Sequence, residues 1–390
     1  MINASTQTVT VVNPTFNLIA NQRDDERPEY KEYRWRWENY PKNRILGKFP
    51  IHVDLESTAR CNLECIMCFQ SDHSKGGWRE QFSEVYKQHS SDNKDTKFIG
   101  DMELVLFKKV IDEGRSDDLV YFVDGKKVDD RLRSIKLQYH GEPLMSPHLV
   151  KMVKYAKEKG VIEVMFNTNG SLLTEDLTIQ LIEAGLDKII FSVDGASAEV
   201  YENIRQGPRG PMVGLFDRVV KNIMFLKNER NRRGLLKPII RVQAVYQKNN
   251  KEQIDSGYYK DFWIKIADHI ATEEENDYHE TNKPVAVSST FCCDQLWQRL
   301  FVNYNGDITL CCGDVYKKRV IGNAYKDKIQ DIWQSVKVNS FRNLHINGGS
   351  HKMVPCDTCG YRDTIIKKHH SESWKVYIES PEYKEYVRKS

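Results

Sequence analysis

The chain has 390 residues, of which 29% are charged and 40% hydrophobic, and a formal net charge of +3. That balance describes a globular chain long enough for two or three domains and a sizeable core. No stretch approaches the roughly 20 apolar residues that span a bilayer, and so small a charge gives nucleic acid no electrostatic footprint.

Residues 1–16 lack a basic region followed by an apolar core, so no secretory signal is read and the cytoplasm is the expected compartment. Thiols stay reduced there, and nine cysteines then point to metal rather than to disulfides. Residues 1–47 read as an N-terminal arm that carries Tyr30, Tyr33, Trp35, Trp37 and Tyr40 among charges. Aromatic side chains chiefly supply buried area, so these should pack on the main body; a substrate-contacting cap is the alternative.

Residues 51–55 alternate apolar and polar as a strand does, and lead straight to Cys61, Cys65 and Cys68 at spacing C-x3-C-x2-C. Three thiolates in so short a loop can wrap an iron–sulfur cluster, and against a 4Fe-4S cubane they leave one iron open to a ligand that is not protein. Structural zinc usually takes four closed ligands, and the nearest further candidate is His73. The stretch 71–100 is long, polar and aperiodic; its place beside the cysteines favours a lid.

From Asp101 the pattern alternates. Residues 102–113, 148–159, 175–184 and 198–204 read as helices, and 135–139, 162–166, 188–193 and 239–246 as strands. Repeated strand and helix units of this size imply a parallel sheet with helices outside it, without deciding between an open sheet and a barrel. Polar segments follow the strands: His140-Gly141-Glu142-Pro143, Asn167-Thr168-Asn169-Gly170 and Ser192-Val193-Asp194-Gly195. The tract 227–237 reads as a solvated helix end and 272–284 as a linker.

Beyond it lie Cys292, Cys293, Cys311, Cys312, Cys356 and Cys359. Asn305-Gly306 between two alternating runs signals a hairpin that presents Cys311 at its far end, and a short helix follows near 329–335. Ribbon plus C-x2-C binds metal, with a zinc ribbon as one open reading. Adjacent residues on extended backbone face opposite ways, so one cysteine of each pair can easily turn to the metal. The tail, 366–390, reads as a packed or frayed helix whose His369-His370 lies on the surface.

Cys61 to Cys68 resembles the signature of the radical S-adenosylmethionine (radical SAM) enzymes. The resemblance implies a 4Fe-4S cluster on Cys61, Cys65 and Cys68 whose open iron chelates S-adenosylmethionine. It also implies reductive cleavage to a 5'-deoxyadenosyl radical that abstracts hydrogen from substrate. Met67 stands where the family often has an aromatic residue, and Phe69 follows; both would pack on the cofactor. Gly141-Glu142 resembles the segment that receives the cofactor ammonium. The segments holding Asn169 and Ser192-Val193-Asp194 are similar to the family's strand-end motifs, with Ser192 and Asp194 near ribose or carboxylate and Arg205 paired with the carboxylate. The fold implied is α/β, a partial (β/α)6 TIM-like barrel over residues 48–275 with its chemistry at the carboxyl ends of the strands.

Residues 285–365 resemble the SPASM or twitch extensions, through Cys293, Gly306, Cys311, Ile321-Gly322-Asn323, Ile332-Trp333, Cys356 and Cys359. The resemblance implies a small hairpin-plus-helix domain with one auxiliary iron–sulfur cluster, of 4Fe-4S type, on Cys293, Cys311, Cys356 and Cys359. Cys292 and Cys312 are left as buried small hydrophobes, or one of them as a thiol hydrogen donor. A flavodoxin or ferredoxin would be the reductase. Without a peptide-recognition domain, the expected substrate is a small polar molecule such as a carbohydrate or nucleotide sugar. A peptide maturase is the alternative enzyme, and a zinc-binding interaction protein the alternative outside enzymes.

Overall fold

The structure, a computed structural model, describes residues 9–12, 27–71, 100–275, 291–315, 317–360 and 362. The segment expected to form a lid, most of the expected linker and the C-terminal tail lie outside the described residues.

In chain order the main elements are β1 (Val9–Val12), α1 (Pro28–Asn43), β2 (His52–Leu55), α2 (Leu104–Gly114), β3 (Val120–Val123), β4 (Lys126–Asp129), β5 (Ser134–Lys136), α3 (Leu149–Glu158), β6 (Glu163–Thr168), α4 (Glu175–Glu183), β7 (Lys188–Ser192), α5 (Ala198–Ile204), α6 (Leu215–Arg232) and β8 (Ile239–Tyr246). There follow α7 (Lys251–Asp255), α8 (Tyr258–Trp263), β9 (His269–Glu274), α9 (Gln295–Gln298), β10 (Arg299–Val302), β11 (Asp307–Thr309), β12 (Gly322–Asn323), α10 (Ile329–Gln334) and α11 (Val336–Ile346). Local chemistry marks the helix ends. Thr174 caps α4 by accepting from the Leu177 amide at 3.2 Å, with Glu175 and Asp176 in its first turn. Beyond α3, which buries Leu149, Met152, Val153 and Ala156, Gly160 takes φ +79°.

Six strands, β2, β5, β6, β7, β8 and β9, pair in parallel, and helices cross between them. This is the partial (β/α)6 barrel. Its apolar residues face the helices: Val53, Leu55, Ile135, Val164, Phe166, Ile189, Phe191, Ile240 and Val242 are all at 1% exposure or less within the main core. The alternate residues face the lumen, and many are polar: His52, Asp54, Lys136, Glu163, Asn167, Lys188, Ser192, Arg241 and Gln243. A lumen built this way is a chamber for polar groups rather than a packed core.

Helix α1 closes the amino-terminal end of that chamber. Its Tyr33 hydroxyl donates to Glu163 at 3.3 Å and accepts from Ser134 at 3.0 Å, while Trp37 packs edge-on against His52. Tyr30, Tyr33, Trp37 and Tyr40 of the arm therefore pack on the barrel at the end opposite the cysteine loop, with Tyr33, Tyr40, Ile51 and Ile162 forming a core of their own, whereas Trp35, expected to pack with them, is 52% exposed.

Three features depart from the sequence reading. Residues 272–274, read as linker, complete β9, to which β1 of the N-terminal arm adds antiparallel as an edge strand. The hairpin β3–β4 has no counterpart in the expected pattern. The C-terminal hairpin, expected as a separate ribbon, extends the barrel sheet: β10 pairs in parallel with β2, matching Arg299 to His52 and Val302 to Leu55, and β11 and β12 follow antiparallel. The Asn-Gly turn itself forms as read, with Gly306 at φ +86°, a conformation that L side chains rarely adopt. Helix α10 locks the extension in place, since Trp333 is fully buried and its indole donates to the Gly47 carbonyl at 3.0 Å.

Candidate functional site: two cysteine sets across the barrel mouth

The chain leaves β2 and folds over the carboxyl-end mouth. Arg60 anchors this loop with bonds to Asp101 at 2.7 Å and the Met145 carbonyl at 3.0 Å. The Cys68 amide donates to the Cys65 carbonyl at 3.0 Å, curling the loop, while the Glu64 and Ile66 amides donate to the carbonyls of Gln206 and Ile204 at 2.7 and 3.1 Å. The three thiols sense one another. Burial, then Cys65 and Glu142, pushes the Cys61 thiol far above its usual range; burial pushes Cys65 up to about 12; burial raises Cys68. Donors nevertheless face the sulfurs: the Gln70 amide stands 3.4 Å from Cys68 Sγ and Arg205 Nη1 3.9 Å from Cys65 Sγ. Thiols held together yet reluctant to ionise alone, with donors already facing them, would fit a cationic iron–sulfur core.

The segment after β5 is sewn to this loop. The Glu142 amide donates to the Arg60 carbonyl at 2.7 Å, and Gly141, at φ +45°, lies so close that a Cβ there would meet the Thr58 carbonyl oxygen at 2.3 Å. Only glycine fits. The Glu142 carboxyl is buried and accepts from Thr168 Oγ1 at 2.6 Å, the Asn169 amide at 2.7 Å and the Leu144 amide at 3.1 Å. Burial pushes it up to about 7 against those hydrogen bonds. Asn169 in turn donates to Asn62 at 3.0 Å, so the strand-end turns after β5 and β6 and the cysteine loop form one bonded unit.

Asp194 and Arg205 are the second clamp. Arg205 Nε donates to Asp194 at 2.5 Å, and the other Asp194 oxygen accepts from the Val245 amide at 2.7 Å. Asp194 is fully buried beneath Arg205, whereas the sequence reading set it beside ribose or carboxylate. Ser192 ends β7 half-buried in register with Gln243; Met67 is partly buried against the core; Phe69 packs edge-on against His140 with ring centres 5.1 Å apart. His140 is held by Glu56, whose carboxyl would be raised by burial but is kept down at about 2 by His140 and Lys317.

Next to this mouth the second cysteine set converges. Burial and mutual repulsion raise Cys293, Cys311 and Cys356, with Cys359 acting on all three. A Cβ on Gly313 would lie 3.9 Å from both the Cys311 and Cys359 sulfurs, so that glycine leaves the space between them clear. Cys293, Cys311 and Cys356 line one small cavity together with His345. The sequence reading missed His345. Its Nδ1 accepts from the Cys293 amide at 3.2 Å, so its proton sits on Nε2, 3.5 Å from Cys356 Sγ.

Cys292 and Cys312 do not line that cavity, and both are half-buried. Cys292 faces Arg44 and Asp294, and burial pushes its thiol up to about 11. Cys312 is half-buried rather than buried, and Gln295 holds it at both ends, donating to Sγ at 3.1 Å and accepting from its amide at 3.3 Å. Among the described residues, no three His, Cys, Asp or Glu side chains are gathered tightly enough to hold a single metal ion, and no helix is long and apolar enough to cross a membrane.

Comparison with known proteins bears on both halves. The radical SAM superfamily model matches residues 55–229, and the SPASM model, an iron–sulfur cluster-binding domain, matches residues 292–360. A tungsten-containing aldehyde ferredoxin oxidoreductase cofactor-modifying protein from Pyrococcus furiosus is 30% identical over 203 residues, 52% of this chain and 46% of that protein. An AdoMet-dependent heme synthase from Methanosarcina barkeri is 32% identical over 112 residues, 29% of this chain and 30% of that protein. The chain thus spans less than half the length of these curated relatives.

Among solved structures, native anSMEcpe with bound AdoMet covers 80% of this chain and 89% of its own at TM-score 0.53 and 17% identity. Streptococcus suis SuiB bound to S-adenosylmethionine covers 86% and 76% at TM-score 0.51 and 15% identity. These two share the fold. The SPASM match removes the zinc-ribbon reading of the C-terminal cysteines. The chain therefore belongs to the radical SAM superfamily and carries a SPASM domain, with S-adenosylmethionine, a 4Fe-4S cluster and auxiliary iron–sulfur binding as its cofactor chemistry.

Proposed function

We propose that Cys61, Cys65 and Cys68 hold the catalytic 4Fe-4S cluster at the mouth of a polar chamber in which a small polar substrate loses hydrogen from a C–H bond. The observation that carries this reading is the position of the three-thiol loop, bonded to the turns after β5 and β6 and to the end of α5 at the mouth of a lumen lined by charged groups. With both bound, the cluster and S-adenosylmethionine supply a 5'-deoxyadenosyl radical as the hydrogen acceptor.

The chain's own residues bind and orient. Three acceptor positions of Glu142 are used, and a carboxylate offers about four, so one is left for the cofactor ammonium; that cation would also relieve a carboxyl raised by burial. Arg205, fixed by Asp194, offers its remaining donors to the cofactor carboxylate, and Ser192 its hydroxyl to the ribose. Met67 and Phe69 supply apolar contact, and the Gly141 and Asn169 turns set the floor. Cys293, Cys311, Cys356 and Cys359 hold one auxiliary cluster whose four protein ligands close it, which favours electron transfer or a structural role over substrate binding. A flavodoxin or ferredoxin delivers the reducing electron.

The substrate is of the carbohydrate or nucleotide-sugar class. What supports this is the charge of the lumen and its closed amino-terminal end, a chamber suited to a compact polar molecule. Anaerobic reconstitution tests the core of the reading: the wild type should form 5'-deoxyadenosine under reduction, and the Cys61→Ala, Cys65→Ala, Cys68→Ala triple variant should form none. Cofactor cleavage surviving in that variant sinks it.

A further inference from the structure

Among the described residues, the lumen holds a cation that no carboxylate contacts. Lys136 and Arg299 face Asp54 at 3.2 and 3.5 Å, and Lys188 pairs with Glu163 at 2.8 Å. Arg241, on β8, has no such partner: among the described residues no hydrogen bond or ion pair reaches its guanidinium, and its Nε is buried unsatisfied. Glu273, a charge that acts on it, lies opposite Val245, four residues further along β8.

Register places Arg241 in the chamber. It pairs with Ile190 of β7 and His269 of β9, and Ile190 with Asn167 of β6, so these four share a face and a layer. Ile240 and Val242, on either side of Arg241, are fully buried against the helices. The Ser192–Gln243 layer stands about 7 Å nearer the mouth, so Arg241 lies on the substrate's side of the groups assigned to the cofactor. The same layer has a second unsatisfied group, the buried Asn167 Oδ1. A half-buried guanidinium that no carboxylate touches is costly to the fold, and a bound anion repays that cost with charge-assisted, bidentate bonds.

We propose that Arg241 is the anchor for an anionic group, carboxylate or phosphate, on the substrate. This rests on the reading of the barrel as the reaction chamber, and it narrows the substrate to anionic small molecules such as sugar phosphates, nucleotide sugars or sugar acids. Neutral sugars and cationic aminoglycosides do not fit this site.

The test titrates inorganic phosphate into the reconstituted full-length protein at constant ionic strength by calorimetry, alongside Arg241→Gln and Arg241→Lys. Wild type should bind phosphate saturably, the Gln variant at least about tenfold more weakly, and the Lys variant in between, with S-adenosylmethionine affinity unchanged in all three. Wild-type strength in the Gln variant, or no saturable binding by the wild type, overturns the proposal. So does a parallel loss of S-adenosylmethionine affinity, which would give the anion site to the cofactor carboxylate. Should the Gln variant not fold, phenylglyoxal labelling of Arg241 in the wild type, read by mass spectrometry, should slow with phosphate; an unslowed rate refutes the site. Failure of the radical reading would instead show as absent 5'-deoxyadenosine with phosphate binding intact.

Discussion

The Tyr139 hydroxyl donates to the backbone carbonyl of Cys311 at 3.2 Å, a single bond that ties the turn above β5 to the second cysteine set. Tyr139 also stacks on His140 with ring centres 3.9 Å apart, and His140 meets Phe69, the residue after Cys68. The two cysteine sets are thus joined through three side chains. Tyr139→Phe keeps the ring and removes the donor, so it should cost about 0.5–1.5 kcal/mol. Denaturant melts of the two reconstituted proteins measure this, and chelator-driven iron loss should quicken for the auxiliary cluster while that of the Cys61 loop stays level. Equal quickening at both would refute a local tie.

His345 should set the potential of the auxiliary cluster. Its Nε2–H faces Cys356 Sγ, and a hydrogen bond to a ligating sulfur stabilises the more negative, reduced state. His345→Phe should therefore lower the midpoint potential, and His345→Gln, which can still donate, should restore part of it. Redox titration followed by electron paramagnetic resonance reads both. If iron content falls by one cluster in both variants, the imidazole is a ligand and not a donor.

Asp194→Asn separates positioning from contact. The substitution leaves Arg205 without its anionic partner but changes no group assigned to the cofactor. S-adenosylmethionine binding should weaken about 10-fold to 100-fold, the scale of a charge-assisted bond lost when Arg205 is no longer aimed. Arg205→Lys should weaken binding similarly, and the Asp194→Asn, Arg205→Lys double variant hardly further. Additive losses would show independent contacts.

The barrel was legible because its strands alternate and its helices carry periodic apolar faces, as in β8, where Ile240, Val242 and Ala244 are buried on one side. The three-cysteine loop was legible from spacing alone. What stayed hidden depends on contacts between distant segments. Nothing local in the sequence says that Arg299 to Val302 will pair with His52 to Leu55, so the hairpin looked independent. The acidic run at 273–275 looked like a linker because a strand end can be polar. His345 lies eleven residues before Cys356, without a motif, and only the fold turns it toward the sulfur. Asp194 was found as a residue, but its burial under Arg205 is a tertiary fact.

The charged lumen should also govern acid stability. Burial alone would raise the Glu163 carboxyl, but Lys188, bonded to it at 2.8 Å, holds it down at about 2. A carboxyl whose value is depressed in the folded protein binds fewer protons there than in the unfolded chain. Its contribution is therefore complete above the unfolded value of about 4.3 and is lost as pH falls toward about 2. Its size is on the order of 3 kcal/mol. Glu56, also held at about 2, acts in the same window. Urea unfolding at pH 5 and pH 3.5 should show wild-type stability falling with acid, and Glu163→Gln should flatten part of that slope while costing stability at pH 5. Should Glu163→Gln keep the full wild-type slope, the Glu163–Lys188 pair is not the acid-sensitive element.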